Sequence, residues 1–437
     1  MLDVLPISAA VHDGSLTLGG ISAEELAELH GTPLLVLCRE TVLEQARAYR
    51  GAAPEALIAY GTKAFPSVAL LRLLAAEGLG ADVSTLGELR FALAAGVPGE
   101  RLVVHGNNKS DAELRAAAAA GAGLVVLDSL DEIERAAAAG VRRVLVRVTS
   151  GIEADTHEAI RTSHHGSKFG LPQEAAVEAI VRAQGAGLEV AGLHVHIGSQ
   201  LLETQAARMT VEWLAGFASL CRSRTGWTPA VVNLGGGLGI RHVRDERVPT
   251  VESYVGELLA RVEEAWALHG LPVPRLVLEP GRSLVGRAGV TLYRVGVVKR
   301  ATESVTYVAV DGGMSDNPRP QLYGARYGAL LANRADEPPA GSYSIAGKHC
   351  EADTLIGHVE LPEPRRGDLL AVPATGAYTL AMSSNYNVVP RPAAVLVGGG
   401  ETTLIRRRET LDDLLTLEVG ALAPPPRTET SSAPPLG

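Results

Sequence analysis

Residues 57–106 read LIAYGTKAFPSVALLRLLAAEGLGADVSTLGELRFALAAGVPGERLVVHG, and their rhythm decides the fold. Three short apolar runs, 57–63 (LIAYGTK), 80–85 (GADVST) and 101–106 (RLVVHG), are separated by Ala/Leu-rich stretches with Glu and Arg on the polar side. Short runs of this kind between helical patterns predict buried parallel strands joined by crossover helices. Five more follow: 123–128 (GLVVLD), 143–148 (RVLVRV), 190–198 (VAGLHVHIG), 231–237 (VVNLGGG) and 275–281 (RLVLEPG). Eight such units close a (β/α)8 TIM barrel, whose active site lies at the C-terminal strand ends. A doubly wound open sheet is the competing α/β arrangement. The strand ends carry the reactive residues: Lys63, His105 and Asn107, Arg147, His194 and His196, Gly235 to Gly237, and Glu279 through Arg282.

Beyond residue 284 the pattern changes. Segments such as GVTLYRVGVVKR, TYVAVDGG and AAVLVGGGETTLI are β-branched, alternating and punctuated by Gly and Pro, which predicts a second, all-β domain. The N-terminal LPISAAVHDGSLTLGG reads as strand–turn–strand and is expected to join it. The expected division is 1–29 for the N-terminal strands, 30–283 for the barrel, 284–420 for the β domain, and 421–437 for a disordered Pro/Ser/Thr-rich tail.

Composition narrows the function classes. Of 437 residues, 46% are hydrophobic and 20% charged, which suits a folded soluble enzyme. A net charge of −9 and 4% aromatics argue against a nucleic-acid partner. No apolar run is long enough to span a membrane, and the N-terminus lacks the pattern of a secretory signal. The three cysteines, Cys38, Cys221 and Cys350, lie far apart without CxxC spacing. That excludes a zinc ribbon and suits a reducing, cytoplasmic setting.

Chemistry that needs a primary amine has five side-chain candidates: Lys63, Lys109, Lys168, Lys299 and Lys348. An isolated lysine at a barrel rim is ordinarily solvated. Lys63 closes an apolar strand, where desolvation is expected to lower its pKa and free its lone pair for Schiff-base chemistry. Gly235–Gly236–Gly237–Leu238–Gly239 fails the GxGxxG dinucleotide pattern but offers backbone N–H groups without side chains. With Glu279–Pro280–Gly281–Arg282 on the next strand it matches the common barrel phosphate site. Phosphate across a barrel mouth from a lysine suggests pyridoxal phosphate, and a carboxylate such as Glu279 would keep the pyridine nitrogen protonated. His194 and His196 alternate, so both are expected on one side of their strand. They suit either a metal or stacking on an aromatic cofactor. No other His or Asp ends a nearby strand in a comparable pattern, so no metal is expected; His157, His164 and His165 read as a loop cluster.

The motifs AYGTKAF, VVHGNNKS, THEAIRTSHHGSKFG, GLHVHIGSQ, NLGGGLGI, LEPGRSLVG, VDGGMSDNPRPQLYG, GKHCE and ATGAYTLAMSSNYN run from about residue 30 to residue 415. In this order they resemble the diaminopimelate decarboxylase family, among the fold-type III pyridoxal-phosphate decarboxylases that include ornithine and arginine decarboxylases. The resemblance implies an alanine-racemase-like barrel plus β domain. It implies decarboxylation of meso-2,6-diaminopimelate to L-lysine and CO₂, with pyridoxal 5′-phosphate as cofactor, as the last step of lysine biosynthesis. Lys63 would carry the cofactor, His196 would stack on its ring, and Glu279 would pair with the ring nitrogen. Ser199, Gly236, Gly237, Gly281, Arg282 and Tyr378 would seat the phosphate or ring. Arg282, Arg319, Tyr323 and Tyr378 would bind substrate, with the two arginines and Tyr323 on its distal carboxylate. Glu351 would take the distal ammonium and Cys350 would return a proton. In the family these last two residues enter from a second subunit, so a homodimer with shared active sites is implied.

The sequence departs from the family in three places. The family's CESGD stands here as Cys350–Glu351–Ala352–Asp353–Thr354, which read position by position puts Asp353 at the glycine and Thr354 at the acid. Phe65 replaces an Asn, and Ser163 a Gly. A decarboxylase of a related amino acid and a non-catalytic cofactor-binding homologue remain alternatives. A racemase would place an Arg where Glu279 stands.

Overall fold

The computed structural model describes residues 2–152, 167–196 and 198–418. The cluster of His157, His164 and His165, Ser163 and the segment 421–437 lie outside the described residues.

An N-terminal sheet is formed by β1 (Ala9–His12), β2 (Ser15–Leu18) and β3 (Ile21–Ser22). Its first turn is Asp13–Gly14, at φ 48° and 80°, the left-handed pair that a tight hairpin requires. Ser22 then caps the helix Ala23–His30 by accepting from the Glu25 N–H. Strand β4 (Leu34–Cys38) is wholly buried.

Eight parallel strands follow: β5 (Leu57–Gly61), β6 (Gly80–Val83), β7 (Leu102–Val104), β8 (Leu124–Leu127), β9 (Arg143–Arg147), β10 (Glu189–His194), β11 (Val231–Asn233) and β12 (Arg275–Leu278). Val277 and Leu278 of β12 pair with Leu57 and Ile58 of β5. The sheet is therefore a closed barrel and not an open one. Alternation along β8 shows why these runs have no polar face. Leu124 and Val126 point into a small inner core with Ala59, Val103, Leu145 and Val277, while Val125 and Leu127 meet the surrounding helices. Ser67, Thr85, Ser110 and Thr250 each cap a crossover helix with a side-chain oxygen.

The remaining strands are β13 (Gly289–Arg300), β14 (Thr306–Val310), β15 (Leu330–Leu331), β16 (Gly341–Ala346), β17 (Thr354–Leu361), β18 (Leu369–Pro373), β19 (Ala393–Gly398) and β20 (Glu401–Arg406). They form a separate mixed sheet ordered β17-β16-β14-β13-β4-β19-β20, with β18 paired to β13 and β15. Strand β4 sits at its centre, antiparallel to β13 and parallel to β19, so the segment 34–38 expected with the barrel is part of the β sheet. Its side chains share a core with the N-terminal sheet: Leu34, Val36 and Cys38 pack with Leu16, Leu18, Val290 and Val395. An apolar run cannot tell which sheet it enters; pairing partners decide that. The two sheets meet where the Tyr378 N–H donates to Ala64 O at 2.8 Å, beside the C-terminal mouth of the barrel.

Candidate active site

A cavity of about 600 Å³ occupies that mouth. Lys63 enters it from the 3-10 turn Thr62–Ala64, directly after β5. Its side chain is half exposed to the cavity, and Nζ lies 3.5 Å from Oδ2 of Asp82, a buried carboxylate on β6. The Asp82 charge holds the Lys63 ammonium above its ordinary value and outweighs burial, which acts the other way. The expected lowering by desolvation is thus reversed, because an acid that an apolar strand concealed stands next to the amine.

Glu279, just past β12, is buried among hydrogen-bond donors. Its Oε1 accepts from His105 Nε2 at 2.7 Å and from Asn233 Nδ2 at 2.6 Å. A carboxylate accepts only, so His105 carries its proton on Nε2. Burial pushes the Glu279 carboxyl up, but the nearby His105 charge and the hydrogen bonds to it hold it well below the usual carboxylate range. His194 Nε2 stands 3.6 Å from Oε2, and burial pushes this imidazole down to about 3, so it is neutral. His105, His194 and Glu279 bring ligand atoms within 4.8 Å of one another. The expectation that no other His or Asp ends a nearby strand in a comparable pattern meets an exception in His105, which β7 delivers beside His194, with Glu279 from β12.

The glycine-rich loop begins from the same asparagine, whose Oδ1 accepts from the Gly235 N–H at 2.8 Å. Gly235 has φ 67°, and a Cβ there would meet His196 Nδ1 at 2.5 Å. A Cβ on Gly236 would lie 2.3 Å from the backbone oxygen of Glu279, while the Glu279 N–H donates to Gly235 O at 2.8 Å. The loops after β11 and β12 thus pack backbone against backbone. Gly236→Ala is expected to force them apart, costing about 1–3 kcal/mol of stability in denaturant unfolding.

In the loop after β12, Arg282 donates from Nη2 to Ser199 Oγ at 3.1 Å, and its Cζ lies 4.7 Å over the Tyr378 ring. Tyr378 has φ 59°, unusual for a bulky residue and held by its N–H bond to Ala64. Burial, then the nearby charge of Arg319, pushes Arg282 down to about 10. Its Nε and Nη1 are buried without a hydrogen-bond partner among the described residues. A buried guanidinium with idle donors is a place for an anion.

The pyridoxal-binding domain model of the pyridoxal-dependent decarboxylases matches residues 39–286. The chain is 44% identical over 421 residues to the diaminopimelate decarboxylase of Actinosynnema pretiosum subsp. auranticum, covering 95% of each chain. It is 42% identical to that of Bacillus subtilis (strain 168), covering 93% of this chain and 95% of the relative. The chain belongs to the diaminopimelate decarboxylase family. The family member from M. jannaschii, solved in complex with L-lysine, superposes with a TM-score of 0.87 at 33% identity, over 94% of this chain and 98% of that one.

Of the residues the family resemblance singles out, Lys63, His196, Ser199, Gly236, Gly237, Glu279, Gly281, Arg282, Tyr323 and Tyr378 line one cavity. Arg319 is buried beyond that wall, bonded to His242 Nε2 at 3.0 Å and to the Tyr327 hydroxyl. Cys350 and Glu351 lie on an exposed loop and are not among the residues lining the cavity of their own chain. There the Cys350 N–H donates to Asn387 Oδ1 at 3.0 Å, and the Tyr386 hydroxyl donates to Glu351 Oε1 at 2.7 Å. In the altered loop Asp353, at the family's glycine position, is a buried acid: it meets His349 Nδ1 at 2.5 Å and accepts from the Met314 N–H at 2.8 Å. Asp82, Asn233, His242 and Tyr327 escaped the sequence reading. A charged residue inside an apolar strand, as in GADV, was the available signal for the first of them.

Proposed function

We propose that this family member decarboxylates meso-2,6-diaminopimelate to L-lysine and CO₂ with pyridoxal 5′-phosphate, as the last step of lysine biosynthesis in the cytoplasm. The observation that carries the reading is one amine, Lys63, and a buried carboxylate, Glu279, at the ends of the paired strands β5 and β12, lining a cavity of about 600 Å³. The residues fit such a cofactor. Glu279 is ionised and buried, as a partner for a pyridinium N–H must be, and the idle donors of Arg282 lie beside the glycine loops. When bound, pyridoxal phosphate supplies a cationic ring that takes up the electron pair left by departing CO₂.

The chain supplies the rest. Lys63 holds the cofactor, and Asp82 favours positive charge at its nitrogen. His196, kept neutral by burial and then by the charge of Lys63, presents a flat uncharged ring for stacking. Ser199, Gly236, Gly237, Gly281 and Tyr378 seat the phosphate and ring. Arg282, Arg319 and Tyr323 bind the distal carboxylate, a task suited to planar donors. Cys350 returns the proton and Glu351 takes the distal ammonium, both from the second subunit of a homodimer. Their exposure away from their own cavity supports that arrangement. Three unpaired thiols support a reducing compartment, and no described helix is long and apolar enough to cross a membrane.

Product analysis tests the substrate: meso-2,6-diaminopimelate should give L-lysine and CO₂ in equal amounts, dependent on added cofactor. Equal or greater kcat/KM with ornithine or arginine would overturn the assignment. Shared sites predict that mixing inactive Lys63→Ala and Cys350→Ala proteins restores activity to about a quarter of wild type, since about half of randomly mixed dimers are heterodimers and each of these carries one intact site of its two. No recovery after verified subunit exchange would contradict a shared site.

A further inference from the structure

We propose that His242 is a positioning residue for the distal-carboxylate pocket, turning Arg319 so that its Nε and Nη2 edge meets the substrate. The inference rests on the role given to Arg319 above and adds a residue to it. His242 lies in the loop beyond the glycine run and is 4% exposed. Its Nε2 is 3.0 Å from Arg319 Nη1. An arginine has no acceptor, so Nε2 holds a lone pair and the ring's proton is on Nδ1.

The other ring nitrogen, Nδ1, faces a donor at 3.3 Å and an acceptor at 3.8 Å. Gln200 Nε2 approaches Nδ1 at 3.3 Å, but its amide is fixed by donating to Ile240 O at 2.7 Å and accepting from the Ile240 N–H at 3.4 Å. That approach sets two donors side by side and is not a bond. The facing acceptor is Glu246 Oε2, 3.8 Å from Nδ1, which also accepts from the His242 N–H at 2.7 Å. Burial, then the charges of Arg319 and Arg282, keeps the imidazole neutral and able to accept.

Nη1 carries two hydrogens, and both have takers. One goes to His242, the other to the Tyr327 hydroxyl. The Tyr327 ring stands 5.6 Å from the Arg319 Cζ and packs edge-on against the His242 ring at 5.5 Å. The unused edge is therefore Nε with Nη2, and Nε is buried with no partner among the described residues. Two parallel N–H groups on that edge match one carboxylate.

The test compares two ligands on the cofactor-loaded enzyme. L-lysine keeps the carboxylate that decarboxylation spares, whereas cadaverine lacks it. His242→Leu should weaken L-lysine binding at least about tenfold and raise KM for meso-2,6-diaminopimelate similarly, with kcat changed much less. Cadaverine affinity should stay within about twofold. His242→Gln, whose amide oxygen can accept the same N–H, should recover most of the loss. L-lysine affinity unchanged in the Leu protein, or an equal loss for cadaverine, would overturn the proposal. Wild-type protein that binds L-lysine but does not consume diaminopimelate would defeat the functional reading, yet the binding comparison would still decide the role of His242.

Discussion

Lys63→Ala protein supplied with pyridoxal phosphate is expected to release CO₂ from meso-2,6-diaminopimelate at least about 10⁴-fold more slowly than wild type, a barrier increase of about 5.5 kcal/mol. The size follows from the lack of a substitute. Lys109 is buried in a pair with Glu132 at 2.6 Å and donates to Gly106 O and Val126 O at 2.7 Å. Lys168 lies over the Phe169 ring, 4.9 Å from its centre. Neither Lys299 nor Lys348 borders the cavity. The Ala protein should remain folded, because the deleted side chain is half exposed and leaves Asp82 beside His105, 3.8 Å away. Single-turnover CO₂ release with a thermal melt of the same sample separates lost chemistry from lost structure.

Glu279→Gln is expected to lower kcat by about 10²–10³ with a far smaller change in KM. The amide occupies the same space but offers no negative charge to a protonated ring nitrogen. Because His105 depresses the carboxyl, its charge is complete above the ordinary carboxylate range and is lost only as pH falls through the lower folded value. The stability this charge contributes follows the same window. The acid limb of the wild-type rate profile should therefore arise from another group, and Glu279→Gln should scale the profile down without moving that limb. A Gln protein with near-wild-type kcat would remove Glu279 from the chemistry.

The barrel was legible because each strand is a short run that ends in, or is directly followed by, a polar or glycine residue, and all eight runs became strands. Closure was read from the count of eight, with an open sheet as the competitor, and β12 pairing with β5 across more than 200 residues of chain decides between them. Strand β4 shows the same limit: LLVLC is apolar enough for either sheet, and only its pairing with β13 and β19 places it. At the site, residues marked by motif or strand end were found, including Lys63, His196, Glu279 and Arg282. Those acting through a partner distant in sequence were not. Asn233 reads as one polar residue before a glycine loop, yet it bridges Glu279 and Gly235. Asp82 reads as a strand residue, yet it reverses the expected charge bias on Lys63. Asp353 reads as a substitution in an exposed motif, yet it is buried against His349.

The most direct measurement is borohydride reduction of the cofactor-loaded enzyme followed by peptide mapping. The account predicts one pyridoxyl label per chain, on the peptide carrying Lys63. A label on Lys109, Lys168, Lys299 or Lys348, or no label in protein shown to hold the cofactor, would contradict it.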